Sequence, residues 1–452
     1  MAPVPDPRTA NGRRHPLRFV LALAACAVLA GAKSLTAIAE WAADAPTAVL
    51  SALGGPDREP TGPTAPAEAT VRHVLQRVDG DALDDAIGTW LAARDPERPG
   101  LGEAPGERRR RALAVDGKTV RGARRTASVQ VHLLAAMTRT GLVTAQRDVG
   151  SKTNEITVFR PLLAPLDLTD TVVTFDALHS QTEHARFLVE DKQAQYIAVI
   201  KANHPTLHQE LKQLPWRDVP LMGKTRSTAH SRNEIRRVKT CTVVHGISFP
   251  HAAQATKIVR RRRIVTTGKV SLVRVYVVSD LTPEQASAPE IAQRVRDHWG
   301  IENKFHHVRH TVFAEDASRV RTGTAPRAMA ALRNLAISAL RLDGCDNIAA
   351  GLRKHGRDAT RPLATLGPTS SNQADHLNDA ALATPSPHER RPPYCCCYSL
   401  LFLVNNHEPQ DHEVLPERTN IRSYFEMNEA STWRRGVELR TGLASRRRRR
   451  RC

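Results

Sequence analysis

From residue 1 to about residue 95, apolar positions recur at three- and four-residue intervals, the period of a helix with one buried face. Val71, Val74, Leu75 and Val78 form one such stripe, and Leu83, Ile87 and Leu91 another. Ser34 stands where a helix cap belongs, ahead of a second helix through Trp41. A Gly- and Pro-rich loop fills residues 54–66, and a charged, Pro/Gly-rich linker fills residues 96–111. Residues 19–32 are an uninterrupted apolar run behind Arg13, Arg14 and Arg18, which resembles a secretory signal. The run is too short to span a bilayer. Its apolar spacing continues past Lys33 through Leu35, Ile38 and Trp41, so a buried helix is the better reading.

Beyond the linker the pattern turns strand-like. Residues 112–115 are a short apolar run ending at Asp116. Residues 129–137 and 142–149 flank a turn at Arg139-Thr140-Gly141, which predicts a β-hairpin. A helix is expected from Asn154, a strand over 171–175 ending at Asp176, a helix over 181–191 and a strand over 196–200. A three-stranded meander followed by alternating helix and strand predicts a mixed α/β sheet. Residues 205–285 contain strand-like runs at 236–244 and 270–279, the pattern of a β-rich insertion. An amphipathic helix is expected from Pro289 through Glu302 towards His310, and another over 325–342. The expected organisation is a helical domain (1–95), a linker (96–111), a core in two parts (112–204 and 286–367) around the insertion (205–285), and an irregular basic tail (368–452).

Composition narrows the partner. Across 452 residues the formal charge is +20, and an excess of Lys and Arg gains affinity for a polyanion by releasing its counterions. Seven cysteines show neither zinc-ligand nor redox spacing and form no disulfide framework, which fits a reducing cytoplasm. The tail carries a Cys395–Cys397 triplet and an arginine run at 446–451, either DNA-binding or merely solvated.

Asp116 and Asp176 each close an expected strand. If those strands are neighbours, both carboxylates emerge together, and such a pair can bridge hard divalent cations for phosphoryl chemistry. Alone, a strand-terminal Asp more often caps the following turn. His298, Glu302, His306 and Arg309 share one helix face, an acid set among basic side chains. The plain alternative is an exposed, salt-bridged stripe. His306 and His310 have zinc-like spacing, but no third nitrogen or sulfur ligand lies near in sequence.

The segments AVDGKTVRGA, SKTNEI, TFDALHSQTEHAR, YIAVIKANHPTL, HSRNEIR and RDHWGIENKFHHVR resemble, in order, those of the H-repeat-associated class of bacterial insertion-sequence transposases. The similarity covers residues 7–367. It implies a ribonuclease-H-like mixed-sheet core with a β-rich insertion behind a small helical domain, and a DDE triad of Asp116, Asp176 and Glu302. It also implies DNA contacts for His298 and Arg309, which flank the Glu on its helix. Lys201 and Asn203 match the family's K-x-N segment, and His230, Arg232, Glu234 and Arg236 its H-x-R-x-E-x-R stretch. The implied cofactor is Mg2+, as two ions, with Mn2+ as a substitute. The implied partner is double-stranded DNA, both transposon ends and target, bound by a homo-oligomer in the bacterial cytoplasm on the nucleoid, with no membrane involved.

The chain departs from the family twice. His310 stands where the family has Asp after a Val-Arg pair, and nothing after Gly367 matches. The exchange of an acid for a base near the site motivates an alternative, a catalytically decayed transposase that only binds DNA. A nuclease that cleaves without joining strands and an exported protein are the remaining rivals.

Overall fold

The computed structural model describes residues 4–9, 13–57, 62–97, 110–124, 130–150, 154–229, 231–243 and 246–367. Five helices open the chain: α1 (Leu17–Leu29), α2 (Leu35–Asp44), α3 (Thr47–Ala52), α4 (Glu68–Arg77) and α5 (Gly80–Ala92). Ser34 caps α2 by accepting the Ala37 N–H, as its position predicts. Three strands follow, β1 (Arg111–Arg124), β2 (Gln130–Thr138) and β3 (Val143–Asp148), then α6 (Glu155–Leu163), β4 (Thr171–Phe175), α7 (Thr182–Arg186) running into a π-helical turn, and β5 (Gln195–Ile200). Next come α8 (Pro205–Gln213) and four strands, β6 (Gly223–Ala229), β7 (Arg232–Thr242), β8 (Gln254–Ile264) and β9 (Val270–Ser279). The chain then forms α9 (Ala288–His298), a π-helical turn over Ile301–His306, α10 (His307–Thr311), α11 (Ala325–Leu342), α12 (Ile348–His355) and α13 (Thr360–Leu366).

The nine strands form one mixed sheet in the order β3-β2-β1-β4-β5-β9-β8-β7-β6. β4 runs parallel to both β1 and β5, and all other pairs are antiparallel. The strands of the 205–285 stretch therefore continue the core sheet through the β5–β9 pair, and the stretch opens with a helix, α8.

Each face of the sheet has its own core. On one face Leu113, Val115, Phe175 and Tyr196 pack against Phe159 and Leu162 of α6 and Leu207 and Leu211 of α8. On the other, Ala114, Ala135 and Met137 pack against α11, Ile301 and Phe305, and this core runs on without a break into α1, α2, α4 and α5. Beside it, Val172, Ile197, Ile258 and Val277 cover Ile291 of α9. Phe19 to Leu29 of α1 are almost all buried there, so the apolar run that resembles a secretory signal is helix core. No helix among the described residues is long and apolar enough to cross a membrane.

Candidate active site

Two neighbouring strands bring the aspartates together. The parallel register pairs Ala114 with Thr174 and Val115 with Phe175, so Asp116 and Asp176 occupy the next equivalent positions. Alternation along a strand then puts Asp116 on the face of Ala114 and Asp176 on the face of Thr174, the face that α9 covers. Asp176 follows the last residue of β4, and its Oδ1 accepts the backbone N–H groups of Leu178 and His179. Asp116 does not end its strand. β1 continues past it, because Gly117 to Val120 pair with Leu134 to Val131 of β2. The polar letters Gly117-Lys118-Thr119 hide that continuation from a hydrophobicity reading.

Glu302 reaches the same face from the helical segment after β9. A capping box between Ser287 and Glu290 starts α9. The segment loosens into the π-helical turn over Ile301–His306, a local widening that recurs at functional sites. His306, 2 % exposed, presents Nδ1 to Glu302 Oε2 at 2.9 Å and lies 3.6 Å from Asp116 Oδ2. One ligand atom each from Asp116, Glu302 and His306 falls within 4.8 Å of the others, an arrangement that could hold a metal ion. His306 is the residue the sequence reading missed as a site member. Its position one turn after Glu302 was the available signal.

The electrostatics show what this gathering costs. Burial, reinforced by Asp176, Glu302 and Glu155, pushes the Asp116 carboxyl well above its ordinary range. Glu302 is held low by its hydrogen bond from His306, against the cost of burial. Burial drives His298 down to about 4, so this half-buried imidazole is neutral at physiological pH; its Nδ1 lies 3.0 Å from Thr174 Oγ1. Packed carboxylates with too little positive charge fit a divalent cation, whose preferred donors are carboxylate oxygens.

Behind Asp116, on the α6 face, lies a fourth acid. Glu155 sits between His132 (2.6 Å) and His179 (3.0 Å), and His132 in turn contacts Thr119. Burial alone would raise its carboxyl, but the two imidazoles bring it down to about 2. A Cβ at Gly117 would sit 2.5 Å from the Glu155 carboxylate, so a larger residue there would push Glu155 out of its present place. The network ties the strand bearing Asp116 to the loop bearing Asp176.

The expected DNA contacts fare unequally. Arg309 is a correction. It is 0 % exposed, donates to Glu315 from Nε (2.9 Å) and Nη2 (2.7 Å), and stacks its guanidinium over Phe305. Desolvated and paired, it cannot reach a phosphate. His298 lines the site but is neutral. Lys201 and Asn203 are exposed, and Asn203 Nδ2 donates to the Ala177 carbonyl beside Asp176. Arg232 is half-buried, and Arg236 pairs with Glu234, which also meets Arg262 at 3.5 Å. His230 lies outside the described residues. His310 pairs with Asp316 at 2.9 Å while His306 faces Asp116, so the two histidines serve different partners and the zinc-like spacing makes no shared site.

Comparison with known proteins places the chain in a family. The family model "Transposase DDE domain" matches residues 107–339, and a model described as "DDE_Tnp_1-associated" matches residues 1–91. The chain is 26 % identical over 369 residues to "Putative transposase YncI" of Escherichia coli O157:H7, covering 78 % of this chain and 88 % of that protein. It is 28 % identical over 377 residues to "H repeat-associated putative transposase YhhI" of Escherichia coli (strain K12), covering 79 % and 92 %. "Putative protein YbfL" of the same strain matches with the same identity and coverage.

Proposed function

From the premise that the chain belongs to the transposase DDE family, we propose that it cuts DNA at the ends of an insertion sequence and joins the freed ends to target DNA. The observation that carries this reading is the placing of Asp116 on β1, Asp176 just after the neighbouring β4 and Glu302 on the π-helical turn towards one face of the sheet, with Asp116 driven up by burial and by the other acids. The sheet order β3-β2-β1-β4-β5, a meander followed by two parallel pairings, supports a ribonuclease-H-like core.

Asp116, Asp176 and Glu302 would hold two Mg2+ ions, with Mn2+ as a substitute. When bound, such ions supply activation of the attacking oxygen and neutralisation of charge at phosphorus. The chain's own part is positioning. Asp116 and Asp176 are held by the sheet, Asp176 through its backbone N–H partners, and Glu302 by His306. Water is the first nucleophile and the resulting 3′ hydroxyl the second. Lys201 and Arg232 remain phosphate contacts in this reading, and Asn203 acts through the Ala177 loop. The protein would work as a homo-oligomer on double-stranded DNA of the bacterial nucleoid.

The alternative is a catalytically decayed, binding-only protein, suggested by His310, whose Nδ1 lies 2.9 Å from Asp316. Glu302→Gln separates the two readings. It keeps the side chain's shape and removes its charge, so end-DNA affinity should persist while metal-dependent cleavage falls about 10²-fold or more. If Glu302→Gln cleaves as well as the parent chain, the triad assignment is wrong.

A further inference from the structure

Strands β6 to β9 carry one acid between them, Glu234, among many cations. Alternation sorts these charges by face. Arg236, Arg260 and Arg262 lie on the face of Ile258 and Val277, which is the α9 and carboxylate face. There Glu234 joins Arg236 and Arg262, and Arg260 lies over the Trp299 ring. The opposite face is different. Cross-strand register aligns Lys224, Arg237, Val259 and Arg274 in one row. Arg226, Ile235, Arg261 and Leu272 form the next, and Asn233, Arg263 and Val270 stand in the third. All six cations are exposed, none is ion-paired with a described residue, and Glu234 points away from them.

We propose that this reverse face binds the backbone of a second DNA duplex, separate from the one at the carboxylates. The inference rests on the DNA-joining reading above and narrows it to which surface holds which duplex. Four strands about 4.8 Å apart and three rows about 6.7 Å apart make a patch of roughly 14 by 13 Å. B-DNA presents a charge about every 1.7 Å of its axis, so a patch of this length meets roughly eight phosphates, about half of them turned towards it. Six unpaired cations match that density, and every one that neutralises a phosphate releases counterion. A duplex lying here cannot reach Asp116 of the same chain, because the sheet stands between them. In a homo-oligomer that joins one DNA to another, a duplex held here would be presented to the carboxylates of a second copy. Ile235, Val259, Leu272 and Val270 are fewer than the six unopposed cations among which they stand, which favours a nucleic-acid over a protein partner.

The test uses the full chain, a surface-bound duplex and a fluorescent duplex in solution, without metal. The parent should carry the second duplex to the surface. The triple variant Arg237→Thr/Arg261→Thr/Arg263→Thr should lose about tenfold or more of that bridging, and the salt slope of the second binding event should fall by about three. Its mass in solution and its metal-dependent cleavage of a single end duplex should not change. The matching triple Lys variant, which keeps the charge, should retain bridging; if the Thr variant proves unfolded by thermal melting, Arg261→Glu alone replaces it, with the same outcomes. Bridging that survives the Thr changes overturns the proposal. So does a fall in mass, which would make the face a contact between copies, or an equal loss of single-duplex cleavage. A parent that bridges but never cleaves would sink the strand-cutting reading and leave this one standing; one that cleaves but never bridges would do the reverse.

Discussion

Burial, reinforced by the charges of Asp176, Glu302 and Glu155, makes the ionised Asp116 carboxyl costly in the metal-free protein. A carboxylate placed so trades stability for the ability to hold a cation. Asp116→Asn keeps the side chain's shape but removes the ionisable carboxyl that burial and its neighbours penalise, so the metal-free protein should gain about 1 kcal/mol in stability. Millimolar divalent cation should raise the melting temperature of the parent, because a ligand that binds only the folded state stabilises it, and should do so far less for the Asn variant. Equal metal responses would remove Asp116 from the ligand set. His310 belongs to a separate contact. Restoring the family's Asp there by His310→Asp sets a second carboxylate against Asp316, which should cost about 1 kcal/mol at this partly exposed position and leave cleavage unchanged. A gain in cleavage would instead favour the decayed-enzyme reading.

At the level of elements, the helical segment bearing Glu302 is held by a buried ion network. Glu315 accepts from Arg309 and from Arg333 Nη1 (3.0 Å), and Arg309 also reaches Gln146 of β3 at 3.3 Å. Burial opposes the Glu315 charge, but the two guanidiniums hold its carboxyl at about 2, below the ordinary 4.5. A depressed carboxyl contributes stability that is complete above pH 4.5 and lost as pH falls from there towards 2. Glu315→Gln should therefore cost about 3–5 kcal/mol near neutrality, by leaving buried arginines unpaired. Melting temperatures followed downwards from about pH 5 should then fall less steeply for the variant than for the parent. A parallel decline would mean that Glu315 is not the titrating group. This network also marks the limit of the sequence reading. Spacing placed Arg309 on the face of Glu302 but could not say whether its end of that face looks outward or into the core. Its acid partner is six residues on and its second basic neighbour lies on α11, contacts that only the fold supplies. Period and turn chemistry did carry the hairpin β2–β3, strand β4 with Asp176 directly after it, and helix α11. They failed at β1, where Gly117 and Thr119 are polar because they face Glu155 and His132. They also could not foresee the π-helical turn, which leaves no periodic mark.

For the whole molecule, the decisive feature is α11. Every one of its residues from Ala325 to Leu340 is buried. Its length is shared between the sheet, through Ala330 beside Val120 and Val131, and the helices α1, α4 and α5, through a core that includes Phe19, Leu75, Met329 and Leu332. Polar contacts reinforce the join. Arg327 donates to Asp84 (2.9 Å), and Arg147 of β3 pairs with Asp81 (2.6 Å) of α5. Sequence composition suggests a helical domain behind a linker, yet the apolar core does not stop at that linker. A fragment of residues 110–367 would expose the face of α11 that the first five helices cover. Lost burial at about 25 cal/mol per Å2 of apolar surface is more than a marginally stable domain can absorb. The fragment should therefore lack the single sharp calorimetric transition of the full chain and should bind a hydrophobic dye, as loosely packed states do. Adding residues 1–95 as a separate peptide should sharpen the transition and reduce dye binding. A fragment that melts cooperatively at the parent's temperature would show that the shared core contributes little, and that the helices form a separable module attached to an independent catalytic domain.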